Sequence, residues 1–329
     1  MDEFVIERFL TLKHRYPLRI GFIADTHVGT TRALSLPEFI TRDGQTIKAN
    51  QVQQILYKHW ERMSKIFEKY RINYLFLVGD AFGGLNPLRD GAYRFLDLPD
   101  QIELATQLLL KLLGDRKEEI IVLIWRGNDY HETTPGISEM HLELTKRLQS
   151  ENIVSEFMGE SAYVEIEGLN KIKRLFVSHL APSALQSPPT MMSREINWWL
   201  KAKTTKDILP VDAIIRAHLH KWYYVEHDGI QAVQLPCWQG FVPYKNSNKY
   251  YPKLQPNIGG VLGLINESGR ITFTPFLLPE EERLELAREV IKIKPISHRI
   301  WQQEIDIPRE LTPEEKELIR NREVWSNDI

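Results

Sequence analysis

The chain has 329 residues, 43% of them hydrophobic and 26% charged, with a formal net charge of -2. That is ordinary for a globular protein of one large domain or two smaller ones. No apolar run is long enough to span a bilayer, and the single cysteine, Cys237, excludes an intrachain disulfide or a thiolate metal cluster.

The opening stretch, MDEFVIERFL, has neither the basic start nor the apolar core of a secretory leader, so a cytoplasmic location without a membrane partner is the expectation. The near-neutral charge gives no sign of a protein basic all over. A local basic groove would depend on the distribution of charge and not on its total.

In chain order, residues 18–24 are an apolar run ending in a polar cluster, which reads as a buried strand. Residues 30–46 read as a long loop. Residues 48–70 read as a helix, with Ile55, Leu56, Trp60, Met63, Ile66 and Phe67 at helical spacing. A buried strand at 74–78, a helix at 99–113 stopped by Gly114, a strand at 120–125 and a helix at 138–148 follow. The first half therefore alternates strand and helix, which argues for an α/β layered core.

The second half is mostly strand-like, at 162–166, 174–178, 213–217, 222–225, 230–234, 260–265 and 271–276. Asp228-Gly229 and Ser268-Gly269 mark turns between pairs of these runs. Residues 183–210 and 236–256 read as long loops, a length that tends to be functional. The expected fold is an α/β sandwich of two mixed sheets flanked by helices. Residues 1–278 form the catalytic domain in this reading. Residues 279–329 form a charged, helical C-terminal arm that could serve as a homo-oligomer contact.

Five short segments each place a metal-binding residue type directly after an apolar strand. They are Asp25-Thr26-His27, Gly79-Asp80, Gly127-Asn128, His179 and Ala217-His218-Leu219-His220. In α/β sheets ligands gather beyond the carboxyl ends of strands, so neighbouring strands would bring these loops to one edge. Alternate residues such as Asp25 and His27, or His218 and His220, can turn to one point if the backbone is extended. Carboxylate, amide oxygen and imidazole together suit manganese, iron, zinc or a similar divalent ion. The set is too large for one ion and suits two sharing a carboxylate, for which Asp80 is the natural bridge.

In this order the segments resemble the calcineurin-like metallophosphoesterase family, whose pattern is D-x-H, G-D, G-N, a lone His and G-H-x-H. The resemblance spans roughly residues 20–220. It implies a four-layer α/β/β/α fold and two divalent ions, manganese first, with iron, zinc or magnesium as alternatives. It implies one ion held by Asp25, His27, Asp80 and His220, and a second held by Asp80, Asn128, His179 and His218.

Two positions depart from the pattern. Ala217 stands where the family has Gly. Asp129 stands where it usually has a His that contacts the phosphate or protonates the leaving group; here His131, two residues further on, or Asp129 itself would take that part beside Asn128. The implied reaction is hydrolysis of a phosphate ester.

Gly79-Asp80-Ala81-Phe82 resembles the G-D-x-F of the double-strand-break repair nuclease branch. A phosphodiesterase or nuclease acting on single-stranded nucleic acid or nucleotides is thus the first reading. The rim of the cleft would come from residues 194–206 and 238–253, with Arg194, Trp238 and Lys245 as substrate contacts. A phosphomonoesterase and a non-catalytic metal-binding scaffold are the alternatives.

Overall fold

The computed structural model describes residues 8–13, 17–84, 96–128, 140–167, 172–180, 188–205, 208–240 and 256–291. Met1–Glu289 is one compact unit and Val290–Ile329 a second, of which only the end of a helix lies among the described residues.

The chain opens with β1 (Arg8–Lys13), β2 (Leu18–Ile23), a hairpin of β3 (Glu38–Ile40) and β4 (Thr46–Lys48), and α1 (Gln51–Tyr70). Then come β5 (Tyr74–Val78), α2 (Leu98–Leu113), β6 (Ile121–Trp125), α3 (Met140–Ser150) and β7 (Ser155–Phe157). The later part holds β8 (Ser161–Glu167), β9 (Lys173–Ser178), α4 (Pro188–Thr205), β10 (Ala213–Arg216), β11 (Tyr223–His227) and β12 (Ile230–Gln234). It ends with β13 (Gly259–Ile265), β14 (Ile271–Leu277) and α5 (Glu280–Ile291).

These strands make two mixed sheets. The first has the order β14-β13-β2-β5-β6-β7, parallel from β2 to β7, with β13 antiparallel to β2 and to β14. The second has the order β1-β8-β9-β10-β12-β11, in which β9, β10 and β12 run parallel.

Side-chain alternation turns these sheets into layers. Along β5, Tyr74, Phe76 and Val78 face Val164, Leu175, Val177 and Ile215 of the second sheet. Leu75 and Leu77 face the other way, onto Leu56, Trp60 and Met63 of α1 and Leu108 of α2. The outer face of the second sheet, with Tyr163, Phe176 and Ile214, is covered by Met192, Ile196 and Trp199 of α4. The order is therefore α/β/β/α. A strand apolar on both faces reads as a continuous hydrophobic run, which is why the central strands stand out in the sequence.

Several segments differ from the sequence reading, β1 and β7 among them, which it did not include. Residues 183–210 are not one long loop but contain α4. Its Met192, Ile196 and Trp199 recur at helical spacing, and burying each contributes about 1.5–3 kcal/mol. Pro188-Pro189, which looks like loop punctuation, sits in the first helical turn, where proline is tolerated. The loop at 30–46 carries most of the β3–β4 hairpin, which runs on to Lys48. Helix α1 starts at Gln51 because Asn50 caps it: its side chain accepts from Gln53 N–H, and the Gln53 side chain takes the Asn50 N–H in return. Of the arm at 279–329, α5 is described and residues 292–329 lie outside the described residues.

Candidate metal centre

Strands β2, β5 and β6 of the first sheet and β9 and β10 of the second lead into the five motif loops. These loops deliver two groups of side chains whose ligand atoms lie within 4.8 Å of one another: Asp25, His27 and His220, and Asp80, His179 and His218. These six are among the seven ligands that the resemblance implies, with Asp80 falling in one group here and in both there. Asn128 joins the second group, its backbone N–H donating to Asp80 Oδ1 at 2.9 Å and its Nδ2 lying 3.4 Å from Asp80 Oδ2.

Asp80 Oδ2 stands between the groups. It is 3.1 Å from His179 Nε2, 3.8 Å from His218 Nδ1 and 3.9 Å from His27 Nε2. Asp25 Oδ1 is 3.2 Å from His220 Nε2 and 3.7 Å from His27 Nε2, and the two Nε2 atoms of His27 and His220 are 3.1 Å apart. Asp25, His27, Asp80 and His179 are all buried, while the His218 side chain is 30% exposed and opens the site to solvent.

The backbone of these loops differs from the extended form expected for D-x-H and H-x-H. Asp25, His27, Asp80, His218 and His220 have φ of +53°, +42°, +46°, +75° and +56°. Left-handed backbone at a residue other than glycine costs about 1–3 kcal/mol and gathers at functional sites.

Hydrogen bonds within the site hold the strained turns. Asp25 N–H donates to Gly79 O at 3.1 Å, His27 N–H to Asp80 O at 3.0 Å and Ala217 N–H to His179 O at 3.1 Å. His218 N–H donates to Asp25 Oδ2 at 3.1 Å.

His179 is oriented by Val78 O, 2.9 Å from its Nδ1. A carbonyl only accepts, so Nδ1 carries a proton, and Nε2 is the nitrogen turned toward the Asp80 carboxylate. Ring nitrogens and carboxylate oxygens that converge at 3.1–3.9 Å are spaced as ligands around a cation would be. Metal bonds of about 2.1 Å set neighbouring ligand atoms about 3.0–3.4 Å apart, a match to the shorter of these spacings. Asp25 Oδ1 and His218 Nδ1 are buried and take part in no hydrogen bond among the described residues. The donor set thus fits divalent ions.

Burial alone would push the Asp25 carboxyl up. The imidazoles of His220, His179 and His27 beside it hold it well below the usual carboxylate range. Cys237 is close behind, but burial and the neighbouring Asp25 charge push its thiol up, so it offers no thiolate.

The remaining sequence candidates separate. Arg194 is exposed on α4. His131, Asp129 and Lys245 lie outside the described residues. Trp238 requires correction: its ring is fully buried, 4.6 Å from Trp60 and 5.4 Å from His59 between ring centroids. The bridges Cys237–Ile258 and Gln239–Ala33 pin the chain on either side of it, and no base can stack on a ring enclosed in this way. Sequence reasoning missed Gln234, whose buried amide donates to Ala217 O behind His218. A lone glutamine at a strand end carries no spacing signal.

No model of a known protein family and no curated protein sequence matches the chain. Solved structures similar to it include a single mutant of Vps29 from Entamoeba histolytica, 14% identical, covering 80% of this chain and 100% of that one with a TM-score of 0.39. A novel archaeal phosphodiesterase is 13% identical, covering 79% and 100% with a TM-score of 0.38. A predicted phosphoesterase from Streptococcus pneumoniae is 10% identical, covering 80% and 100% with a TM-score of 0.30. Likeness at this level assigns no chemistry to any residue of the site.

Proposed function

We propose that the chain is a dinuclear, divalent-metal-dependent phosphoester hydrolase of the calcineurin-like kind, acting first on phosphodiesters of single-stranded nucleic acid or nucleotides. The observation that carries this reading is the position of Asp80. One buried carboxylate oxygen reaches a histidine of the first group and both histidines of the second, as a carboxylate shared by two ions would.

Asp25, His27 and His220 would hold one ion with Asp80, and His179, His218 and Asn128 the other. When bound, such a pair supplies Lewis acidity toward phosphoryl oxygens and activates water. The chain's own residues do the rest. Asp25 and Asp80 bring negative charge that favours cations over the neighbouring imidazoles alone. Val78 O fixes the tautomer of His179, and the burial of Asp25, His27 and His179 keeps water off the inner side of the site.

The nucleotide reading has the exposed face of α4 extend the cleft; that face carries Arg194, Trp198 and Lys201 at helical spacing, with Trp198 45% exposed. An aromatic face between cations suits a base and its phosphates.

The test is metal content and hydrolysis of bis-p-nitrophenyl phosphate against p-nitrophenyl phosphate with manganese, zinc and magnesium, followed by single- and double-stranded DNA. Two ions per chain and faster diester turnover are expected. Turnover of the monoester alone moves the assignment to a phosphomonoesterase. Two bound ions with no turnover of any ester leave a metal-binding scaffold.

A further inference from the structure

Arg216 is the last residue of β10, and the turn after it carries His218 and His220. Along β10, Ala213 and Ile215 face the first sheet and Ile214 packs under α4. Strand alternation puts Arg216 on the α4 side as well, at a place where an aliphatic residue would continue the core.

Instead the guanidinium is buried there, with Arg216 5% and Glu195 of α4 8% exposed. Nε donates to Glu195 Oε1 at 2.9 Å, Nη2 donates to the same oxygen, and the Arg216 Cζ lies 5.0 Å over the Phe176 ring.

Adhesion between helix and sheet does not call for such a pair. Replacing a buried ion pair by apolar side chains of similar volume is often neutral or stabilising. Nor is this pair completed as a device for stability, since Glu195 Oε2 is buried and accepts no hydrogen bond among the described residues.

Its position is what sets it apart. Leu235 N–H holds Arg216 O at 2.7 Å and the Gln234 amide holds Ala217 O. The chain then enters left-handed backbone at His218 and His220. An apolar side chain at 216 would leave the strand end to these hydrogen bonds, whereas a forked ionic attachment also fixes, from the α4 side, the direction in which the chain leaves the sheet.

We propose that the Arg216–Glu195 pair is a positioning device for the His218–His220 turn, clamping the end of β10 to α4 so that His218 meets Asp80 and His179 in metal-binding geometry. The inference rests on the metal-site reading, and the experiment separates the two.

Full-length parent, the double variant Arg216→Met with Glu195→Leu, and Arg216→Lys are titrated with cobalt(II) alone, by calorimetry and by visible absorption, beside thermal unfolding. Removing both charges leaves no orphan ion, so the double variant melts close to the parent. Its affinity for one of the two cobalt ions falls about tenfold or more, as for other residues that orient metal ligands, and its visible bands shift.

Arg216→Lys keeps the charge, loses the fork and lies between the two. It carries the same readout if the double variant does not fold. A folded variant with the parent's affinity and spectrum, or an affinity that falls only in step with stability, overturns the proposal. If the parent itself takes up no cobalt, the metal-site reading fails and the clamp with it; if the parent takes up two ions and the variants match it, the clamp alone fails.

Discussion

Replacing Gly79 by alanine puts a number on how tightly the fold holds its imidazoles. Gly79 has φ of +68°, and a Cβ there would stand 2.5 Å from Cγ and Nδ1 of the His179 ring. The left-handed backbone alone disfavours alanine by about 1–2 kcal/mol. The clash is separate. Ordinary carbon contacts are about 3.5–4.0 Å, so the ring must retreat by about 1 Å. That movement breaks the bond from Nδ1–H to Val78 O, and stranding these buried groups costs about 1–3 kcal/mol. The sum is about 2–5 kcal/mol, together with loss of the second metal group. Gly229 is the control: it has φ of +77°, but a Cβ there meets nothing within 4 Å. Gly229→Ala should show only the backbone loss of about 1–2 kcal/mol. Urea unfolding of both variants beside cobalt titration is the assay. Equal losses of stability, or a Gly79→Ala protein that binds both ions as the parent does, would refute the reasoning.

Asp80→Asn should abolish phosphodiester hydrolysis while circular dichroism stays that of the parent, because it removes the shared charge and adds no volume; turnover equal to the parent would place the chemistry elsewhere. Trp238→Ala should destabilise the fold by about 3–5 kcal/mol, as loss of a buried aromatic does; a stability unchanged in urea, with weaker DNA binding, would return Trp238 to the substrate. His59 is held neutral by burial, its pKa lowered from 6.5 to about 4. The unfolded chain therefore takes up the proton first, and stability is lost as pH falls from 6.5 toward 4, by up to about 3 kcal/mol, while above 6.5 it is unaffected. His59→Phe should flatten that slope, and a slope unchanged between pH 7 and pH 5 in urea titrations would show that other groups carry it.

The sandwich was legible because its central strands are apolar on both faces. Leu75 and Leu77 pack under helices while Phe76 and Val78 pack between the sheets, so the run from Tyr74 to Val78 has no polar interruption. Strand β1, RFLTLK, was not legible: it is a sheet-edge strand, with charged ends and Phe9 51% exposed, so its alternation is diluted. Helix α4 was hidden by its prolines and by lysines on its outer face. The site was legible as residue types in order, but its backbone was not. D-x-H suggests extended chain, and the left-handed turns at Asp25 and His27 come from hydrogen bonds to Gly79 O and Asp80 O on a neighbouring strand end. No local pattern encodes such a partner. Trp238 misled for a related reason: an aromatic among later lysines looks like a binding surface, whereas bridges to Ile258 and Ala33 on either side of it fix the chain and turn the ring into the core.

The strain and the sandwich explain one another. Asp25, His27, Asp80, His218 and His220 would each relax toward ordinary backbone if their loops were free, since each left-handed residue costs about 1 kcal/mol or more. The restraint comes from the meeting of two sheets. Asp25 is held by Gly79 O from the first sheet and holds His218 N–H from the second, and Ala217 is held by His179 O within the second. The Asp25 carboxylate thus has two duties on separate oxygens. Oδ2 ties the two sheet edges together, and Oδ1 faces His220 and His27 with no hydrogen bond of its own. Asp25→Asn would keep the volume and would still offer an oxygen to His218 N–H, yet it would take the negative charge from the side that faces the imidazoles. Loss of metal binding and loss of fold are therefore separable at this one residue, because the fold needs an acceptor there and the ions need a charge.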